Sequence, residues 1–293
     1  MEGLFFDREF LNKLESMGFL LKKALTGRYS GQHRSLRKGQ SVEFADYRPY
    51  TSGDDWRQVD WNAYARLDRL FIKLFMEEQD LCVHFLVDTS GSMEWGGGTK
   101  FKIARELAGA LGYLALVNME QVGAVALNDD MSGFLPLQRG KVGITRLWGY
   151  LGQLRSGGAT ELNLALRSAG RFIRRPGIAV LISDLLSPAG YQEGLKYLQH
   201  LGQQVVVLHV MSAAEKNPEL LGNYRLVDCE NREFREVSIT PMMLEAYRKQ
   251  VESFEQGIKG FCGNREITYL SVSAEDKLED ILLHSLRSIG VLV

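Results

Sequence analysis

From residue 81 onward, short apolar runs alternate with segments whose apolar residues recur every three or four positions. Leu81–Val87 is a nearly continuous apolar run, as a central parallel strand with both faces covered requires. Lys100–Asn118 predicts a helix with Phe101, Ala104, Ala108, Leu111 and Ala115 on one face. Val122–Leu127 predicts a strand, Met131–Leu137 an edge partner for it, and Thr145–Leu154 a short helix. Glu161–Arg175 predicts an amphipathic helix, with Leu162, Ala165, Leu166, Ala169, Phe172 and Ile173 on one side and Pro176-Gly177 stopping it. Ile178–Ile182 and Gln204–Val210 predict strands on either side of a helix over Tyr191–Leu201. Tyr224–Cys229 and Glu233–Ile239 flank Glu230-Asn231-Arg232 and predict a small hairpin. Leu244, Tyr247, Val251, Phe254 and Ile258 mark a long helix from about Pro241. Ile267–Val272 predicts a last strand and Lys277–Ser288 a closing helix. This order of elements implies an α/β fold, a doubly wound and mostly parallel sheet with helices on both faces.

The first 80 residues follow another pattern. Phe10, Leu14, Met17 and Leu21 predict a helix over residues 7–25, and residues 69–78 predict a strand. Between them, residues 27–68 are rich in Arg, Gly and Asp with weak periodicity. They also carry Tyr47, Tyr50, Trp56, Trp61 and Tyr64, more aromatics than a disordered linker holds. The expected division is an irregular N-terminal segment, 1–80, packed on a sheet domain, 81–293. Arg28, His33, Arg34, Arg37, Lys38 and Arg48 stand among Glu43, Asp46, Asp54, Asp55 and Asp60. An internal ion-pair network is expected, because irregular buried backbone needs polar partners. The competing reading is a basic surface over Lys22–Lys38 that meets an acidic partner or a phosphate.

Composition narrows the function classes. The chain has 293 residues, 45% hydrophobic and 24% charged, and a formal net charge of −1. That balance suits a soluble globular protein and gives no global attraction to nucleic acid. Three widely spaced cysteines (Cys82, Cys229 and Cys262) form no metal-ligand spacing and no disulfide framework. The N-terminal residues lack a basic-then-apolar leader pattern, and no apolar run reaches the roughly 20 residues that span a bilayer. A cytoplasmic protein without membrane insertion is expected.

The candidate chemistry lies at strand ends. In an open parallel sheet, ligands bind beyond the C-terminal ends of the strands where their order reverses. Val87 is followed by Asp88-Thr89-Ser90-Gly91-Ser92, and Ile182 by Ser183-Asp184. If those strands are neighbours, Asp88 and Asp184 share one crevice and repel unless a cation lies between them. Ser90 and Ser92 add hydroxyls, and Gly157-Gly158-Ala159-Thr160 brings a third. Such an all-oxygen donor set suits one hard divalent ion, Mg2+ or Mn2+, and disfavours zinc. A plain strand-to-helix turn with capping hydroxyls is the competing reading of Asp88–Ser92.

This arrangement resembles the metal-ion-dependent adhesion site of von Willebrand factor A domains, Asp-x-Ser-x-Ser followed by a Thr and then an Asp, at Asp88, Ser90, Ser92, Thr160 and Asp184. The resemblance covers roughly residues 80–293. It implies metal-dependent binding of a protein partner whose carboxylate completes the coordination. A second resemblance rests on the Gly31–Gln40, Glu43–Tyr50, Gly53–Arg57 and Asp60–Arg66 stretches, which look like the bacterial family called domain of unknown function 58. That family joins such a segment to an A-type domain. It implies an adaptor or assembly role with a MoxR-type AAA+ ATPase.

An enzyme is not expected, and no catalytic residue is assigned. Gly96-Gly97-Gly98-Thr99-Lys100 lacks the phosphate-loop order and reads as a flexible lead into a helix. His84 and His209 fall within strand patterns, and no G-x-S-x-G is present. The alternative is a metal-dependent hydrolase that activates water, with Glu161 as the candidate base.

Overall fold

The computed structural model describes residues 6–15, 43–51, 53–76, 81–128, 133–229 and 233–282. The chain divides into two compact units, one of Met1–Arg28 with Leu81–Val293 and one of Tyr29–Asp80.

The larger unit is built on a six-stranded sheet of order β10-β7-β6-β3-β4-β5. Its strands are β3 (Cys82–Asp88), β4 (Gln121–Leu127), β5 (Phe134–Gln138), β6 (Gly177–Ser183), β7 (Gln203–Met211) and β10 (Thr268–Ser273). All neighbours run parallel except β4 and β5, so the predicted edge pairing is present. Every residue of β3 and β6 is buried, which is why both read as nearly continuous apolar runs.

Strand alternation splits the core into two layers. Val83, Phe85 and Val87 of β3, with Ile178, Val180 and Ile182 of β6, face one layer, whereas Leu86, Ala179 and Leu181 face the other. The first layer is completed by α3 (Thr99–Val117) and α4 (Gly140–Gln153). The second takes α5 (Leu162–Ala169), α6 (Gln192–His200) and the C-terminal end of α8 (Pro241–Gly263). The doubly wound, mostly parallel sheet with helices on both faces is therefore the architecture of this unit.

Three elements differ from the sequence expectation. Residues 8–15 are helical (α1) and belong to the sheet unit instead of the 29–80 segment. Phe10 and Leu14 are buried in its first layer, each stabilising that attachment by about 2 kcal/mol. Helix α4 begins at Gly140, well before Thr145, and its first turn includes Gly143, where a Cβ would lie 2.9 Å from Leu116 and 3.0 Å from Gln138. A glycine carries no apolar signal, so that turn is invisible to periodicity. Helix α5 stops at Ala169, and residues 170–173 continue as tighter turns. Gly170 follows, where a Cβ would lie 2.5 Å from Tyr197 and 2.9 Å from Leu201, and Phe172 stacks on Phe134 with centroids 4.0 Å apart.

Between β7 and β10 the chain adds a short helix α7 (Ala213–Lys216), a hairpin of β8 (Gly222–Val227) and β9 (Phe234–Ile239), and α8. Both hairpin strands are largely exposed, and only Ile258 and Cys262 of α8 are buried. The start of α8 is set by two adjacent residues. The Thr240 hydroxyl accepts from Met243 N at 3.2 Å, and Pro241 supplies a helical φ where no amide donor is needed.

The smaller unit is more regular than expected where it is described. β1 (Glu43–Pro49) and β2 (Phe71–Met76) pair antiparallel, with α2 (Trp61–Leu67) between them in sequence. The expected polar network is present in part: Arg48 bonds Asp54 at 2.8 Å, Tyr47 donates to Asp60 Oδ2 at 2.7 Å, and Asp60 caps α2. Arg28, His33, Arg34, Arg37 and Lys38 lie outside the described residues, as do residues 16–25 of the first predicted helix, the hairpin turn 230–232 and residues 283–288 of the closing helix.

Candidate metal centre

β3 and β6 are neighbours, with Val87 opposite Ile182. Their C-terminal ends therefore bring Asp88 beside Ser183, whose hydroxyl donates to Asp88 Oδ2 at 2.5 Å. The chain moves from β3 outward to β4 and β5, then returns to the other side of β3 with β6. This is the reversal point where an open sheet leaves a crevice. Asp184 follows immediately, and all four polar residues Asp88, Ser90, Ser183 and Asp184 are buried.

Local bonds shape the loop after β3. Ser90 N donates to the other Asp88 oxygen, Oδ1, at 2.9 Å, closing a tight turn. Ser90 and Ser92 hydroxyls lie 2.9 Å apart, sharing one side of that turn. Two backbone bonds then clamp a distant loop onto it, from Gly157 N to Thr89 O at 2.9 Å and from Gly91 N to Gly158 O at 2.8 Å. Gly157 and Gly158 both have positive φ, so this clamp needs glycines. Thr160 lies two residues beyond this clamp, while Glu161, the candidate base of the hydrolase reading, occupies the N-cap position of α5 and is exposed.

Electrostatics mark the site as a place for positive charge. Burial, and then repulsion from Asp184, push the Asp88 carboxyl well above its ordinary range, against the pull of the Ser183 and Ser90 bonds. Asp184 is held by Leu186 N on Oδ1 at 3.1 Å and by Lys100 Nζ on Oδ2 at 2.8 Å. Thr160 Oγ1 is buried and, among the described residues, has no hydrogen-bond partner. An orphaned buried hydroxyl is costly. One that a backbone clamp brings to a loop with buried acids and two further hydroxyls fits a ligand position for a hard cation. Asp88, Ser90, Ser92, Thr160 and Asp184 thus fit one divalent ion with oxygen donors. No group of three or more His, Cys, Asp and Glu side chains forms a metal site among the described residues, and the candidate set needs none, since it holds two carboxylates and three hydroxyls.

Sequence reasoning missed Lys100. It sits in the first turn of α3, fully buried, and its ammonium bridges Asp184 and Glu215. Burial alone would lower its pKa, but the two carboxylates outweigh that and hold it above the ordinary value. Glu215 is fixed in turn by a reciprocal capping box with Ser212. His84 and His209 are buried strand residues, as expected. His209 spans from Asp184 O, 3.1 Å from Nε2, to the Tyr269 hydroxyl, 2.9 Å from Nδ1.

The surroundings of the loop are apolar in several places. Trp95 and Leu186, close in sequence to Ser92 and Asp184, are 43% and 45% exposed. The end of the hairpin reaches the loop as well: a Cβ on Gly91 would lie 3.0 Å from Cys229 O. Leu226, Val227 and Phe234 of that hairpin are exposed. No helix among the described residues is long and apolar enough to cross a membrane.

Several known proteins are similar to this chain. The uncharacterized protein Rv1480 of Mycobacterium tuberculosis is 26% identical over 248 residues, covering 83% of this chain and 78% of that one. An aerotolerance-related membrane protein from Bacteroides fragilis is similar over 72% of this chain and 98% of its own, at 17% identity and a TM-score of 0.40. Proximal thread matrix protein 1 from the mussel byssus, solved with a zinc-occupied MIDAS motif, is similar over 72% of this chain and 47% of its own, at 16% identity and a TM-score of 0.42. Residues 46–256 match the family described as protein of unknown function DUF58. That match runs through both compact units and includes every residue of the candidate centre, and on its extent the chain belongs to the DUF58 family.

Proposed function

We propose that this chain is a metal-dependent protein-interaction module, with one Mg2+ or Mn2+ held by Asp88, Ser90, Ser92, Thr160 and Asp184. The observation that carries this reading is the Thr160 hydroxyl, buried without a partner among the described residues, in the loop clamped to that of Asp88. A plain turn leaves Thr160 unsatisfied and the Asp88 carboxylate in an unfavourable place, and the Ser90 hydroxyl makes no capping bond to the short helix it precedes. When bound, the ion supplies an open coordination position and positive charge for a carboxylate from the partner.

The chain's own residues do the rest. Ser183 and Ser90 N orient Asp88, the Gly157–Thr89 and Gly91–Gly158 backbone bonds hold the loop that leads to Thr160, and Leu186 N orients Asp184. Trp95, Leu186 and the exposed hairpin side chains offer apolar area of the kind protein interfaces bury. We take the partner to be a MoxR-type AAA+ ATPase, on the strength of the family resemblance alone.

The test is capture of that ATPase on immobilised full-length chain with Mg2+, Mn2+, Zn2+ or EDTA. Capture with Mg2+ or Mn2+, lost in EDTA and in Asp88→Asn and Thr160→Val, is expected. Capture that ignores EDTA would overturn the metal-dependent reading.

A further inference from the structure

The candidate centre contains a buried positive charge of its own. Lys100 Nζ donates to Asp184 Oδ2 at 2.8 Å and also bonds Glu215 Oε1, with no solvent exposure of its side chain. We propose that Lys100 is a resident counter-cation that keeps the centre's affinity for a divalent ion low, with Glu215 limiting that effect. This rests on the metal-binding reading above.

The argument is one of charge and position. Asp184 is the carboxylate shared between Lys100 and the candidate donor set. An ammonium on one of its oxygens repels any cation brought to the other, and low polarizability of the surroundings strengthens that repulsion. The lysine cannot swing away to relieve it. Its stem is enclosed in the first turn of α3, and Glu215, the second acid bonded to it, is itself pinned, with Oε2 accepting from Ser212 N at 2.9 Å. Nor is Lys100 needed to aim Asp184. Leu186 N holds Oδ1, and the backbone of the preceding Ser183 is part of β6. His209 Nε2 meets Asp184 O at 3.1 Å, and Leu185 is set in the left-handed region at φ 57°. Asp184 thus stays in place when Lys100 is neutralised, but the centre gains one net negative charge.

A role confined to structure and a role in affinity therefore predict opposite signs. If Lys100 only supported the fold, removing its charge would loosen the centre and weaken metal binding. If it opposes the ion, Lys100→Met binds more tightly. Glu215→Gln gives the mirror image. It keeps the capping geometry, removes a charge that offsets the ammonium, and weakens binding.

The experiment is Mn2+ binding to the full chain, followed by calorimetry and by the spin resonance of free Mn2+, for wild type, Lys100→Met, Lys100→Arg, Glu215→Gln and Asp88→Asn. Lys100→Met is expected to bind about tenfold or more tightly, Lys100→Arg to resemble wild type, and Glu215→Gln to bind several-fold more weakly. Thermal melting supplies the second readout: Lys100→Met melts below wild type without metal and gains more on saturation with Mn2+. Equal or weaker binding by folded Lys100→Met overturns the inference. Should Lys100→Met fail to fold, Glu215→Gln decides, and unchanged or tighter binding there overturns it too. If wild type takes up no Mn2+, and neither does Lys100→Met, the metal reading itself fails; if both bind alike, only the role of Lys100 fails.

Discussion

Lys100 Nζ lies 2.8 Å from Asp184 Oδ2, and the two side chains are 0% and 1% exposed. A buried pair of this kind adds little net stability over a well-packed apolar pair, but breaking it leaves a charge stranded. Lys100→Ala is therefore expected to lower stability by about 3–5 kcal/mol, measured by denaturant unfolding with EDTA present. A loss below about 1 kcal/mol would show that water reaches the pair.

Thr160 makes the opposite kind of prediction. Its hydroxyl is buried and unpartnered among the described residues, so Thr160→Val removes an unsatisfied group at nearly constant shape. Without metal, the variant should be as stable as wild type or more stable by about 1 kcal/mol. With Mg2+ or Mn2+, wild type should gain melting temperature and the variant should not. A matching gain in Thr160→Val would remove this hydroxyl from the donor set.

Gly91 is constrained from two sides. A Cβ there would meet Cys229 O at 3.0 Å and Gly158 O at 3.2 Å. Gly91→Ala should push the hairpin end or the Thr160 loop away and cost about 1–3 kcal/mol. The Gly91 N to Gly158 O bond would weaken with it, so metal uptake should fall together with stability. Thermal melting and Mn2+ binding on one sample check both, and an unaltered Mn2+ affinity would show that the clamp does not position Thr160.

His84 gives a pH dependence. Burial lowers its pKa from 6.5 to about 4, and its Nε2 has no partner among the described residues. The folded state thus binds the imidazole proton more weakly than the unfolded chain does. Stability is full above about pH 6.5, falls as pH drops toward 4, and levels off below, for a loss of up to about 3 kcal/mol. His84→Leu should flatten this part of the profile, leaving the parallel contribution of His209, which burial also lowers to about 4. Denaturant unfolding of both proteins at pH 7 and pH 4.5 is the check. An identical pH slope in the two would place the titration elsewhere.

The repetition of apolar runs and amphipathic stretches was enough to determine the strand and helix order from β3 to β10, because those patterns record which faces each segment buries. The oxygen-bearing set Asp88, Ser90, Ser92, Thr160 and Asp184 could be proposed from the sequence, since its members sit at strand ends or in glycine-bounded loops where chemistry collects. Only the tertiary structure decided what is built around that set. Lys100 is 84 residues from Asp184 and 115 from Glu215. At the start of a helix, nothing in its neighbours distinguishes a sealed lysine from a solvated one. The same holds for α1, whose Phe10 and Leu14 joined the sheet unit across the whole 29–80 segment of sequence, and for Gly158, whose carbonyl meets Gly91 N. Periodicity reports solvation within a few residues along the chain, whereas these contacts depend on which strand ends become neighbours, and that is set by the packing of the whole sheet.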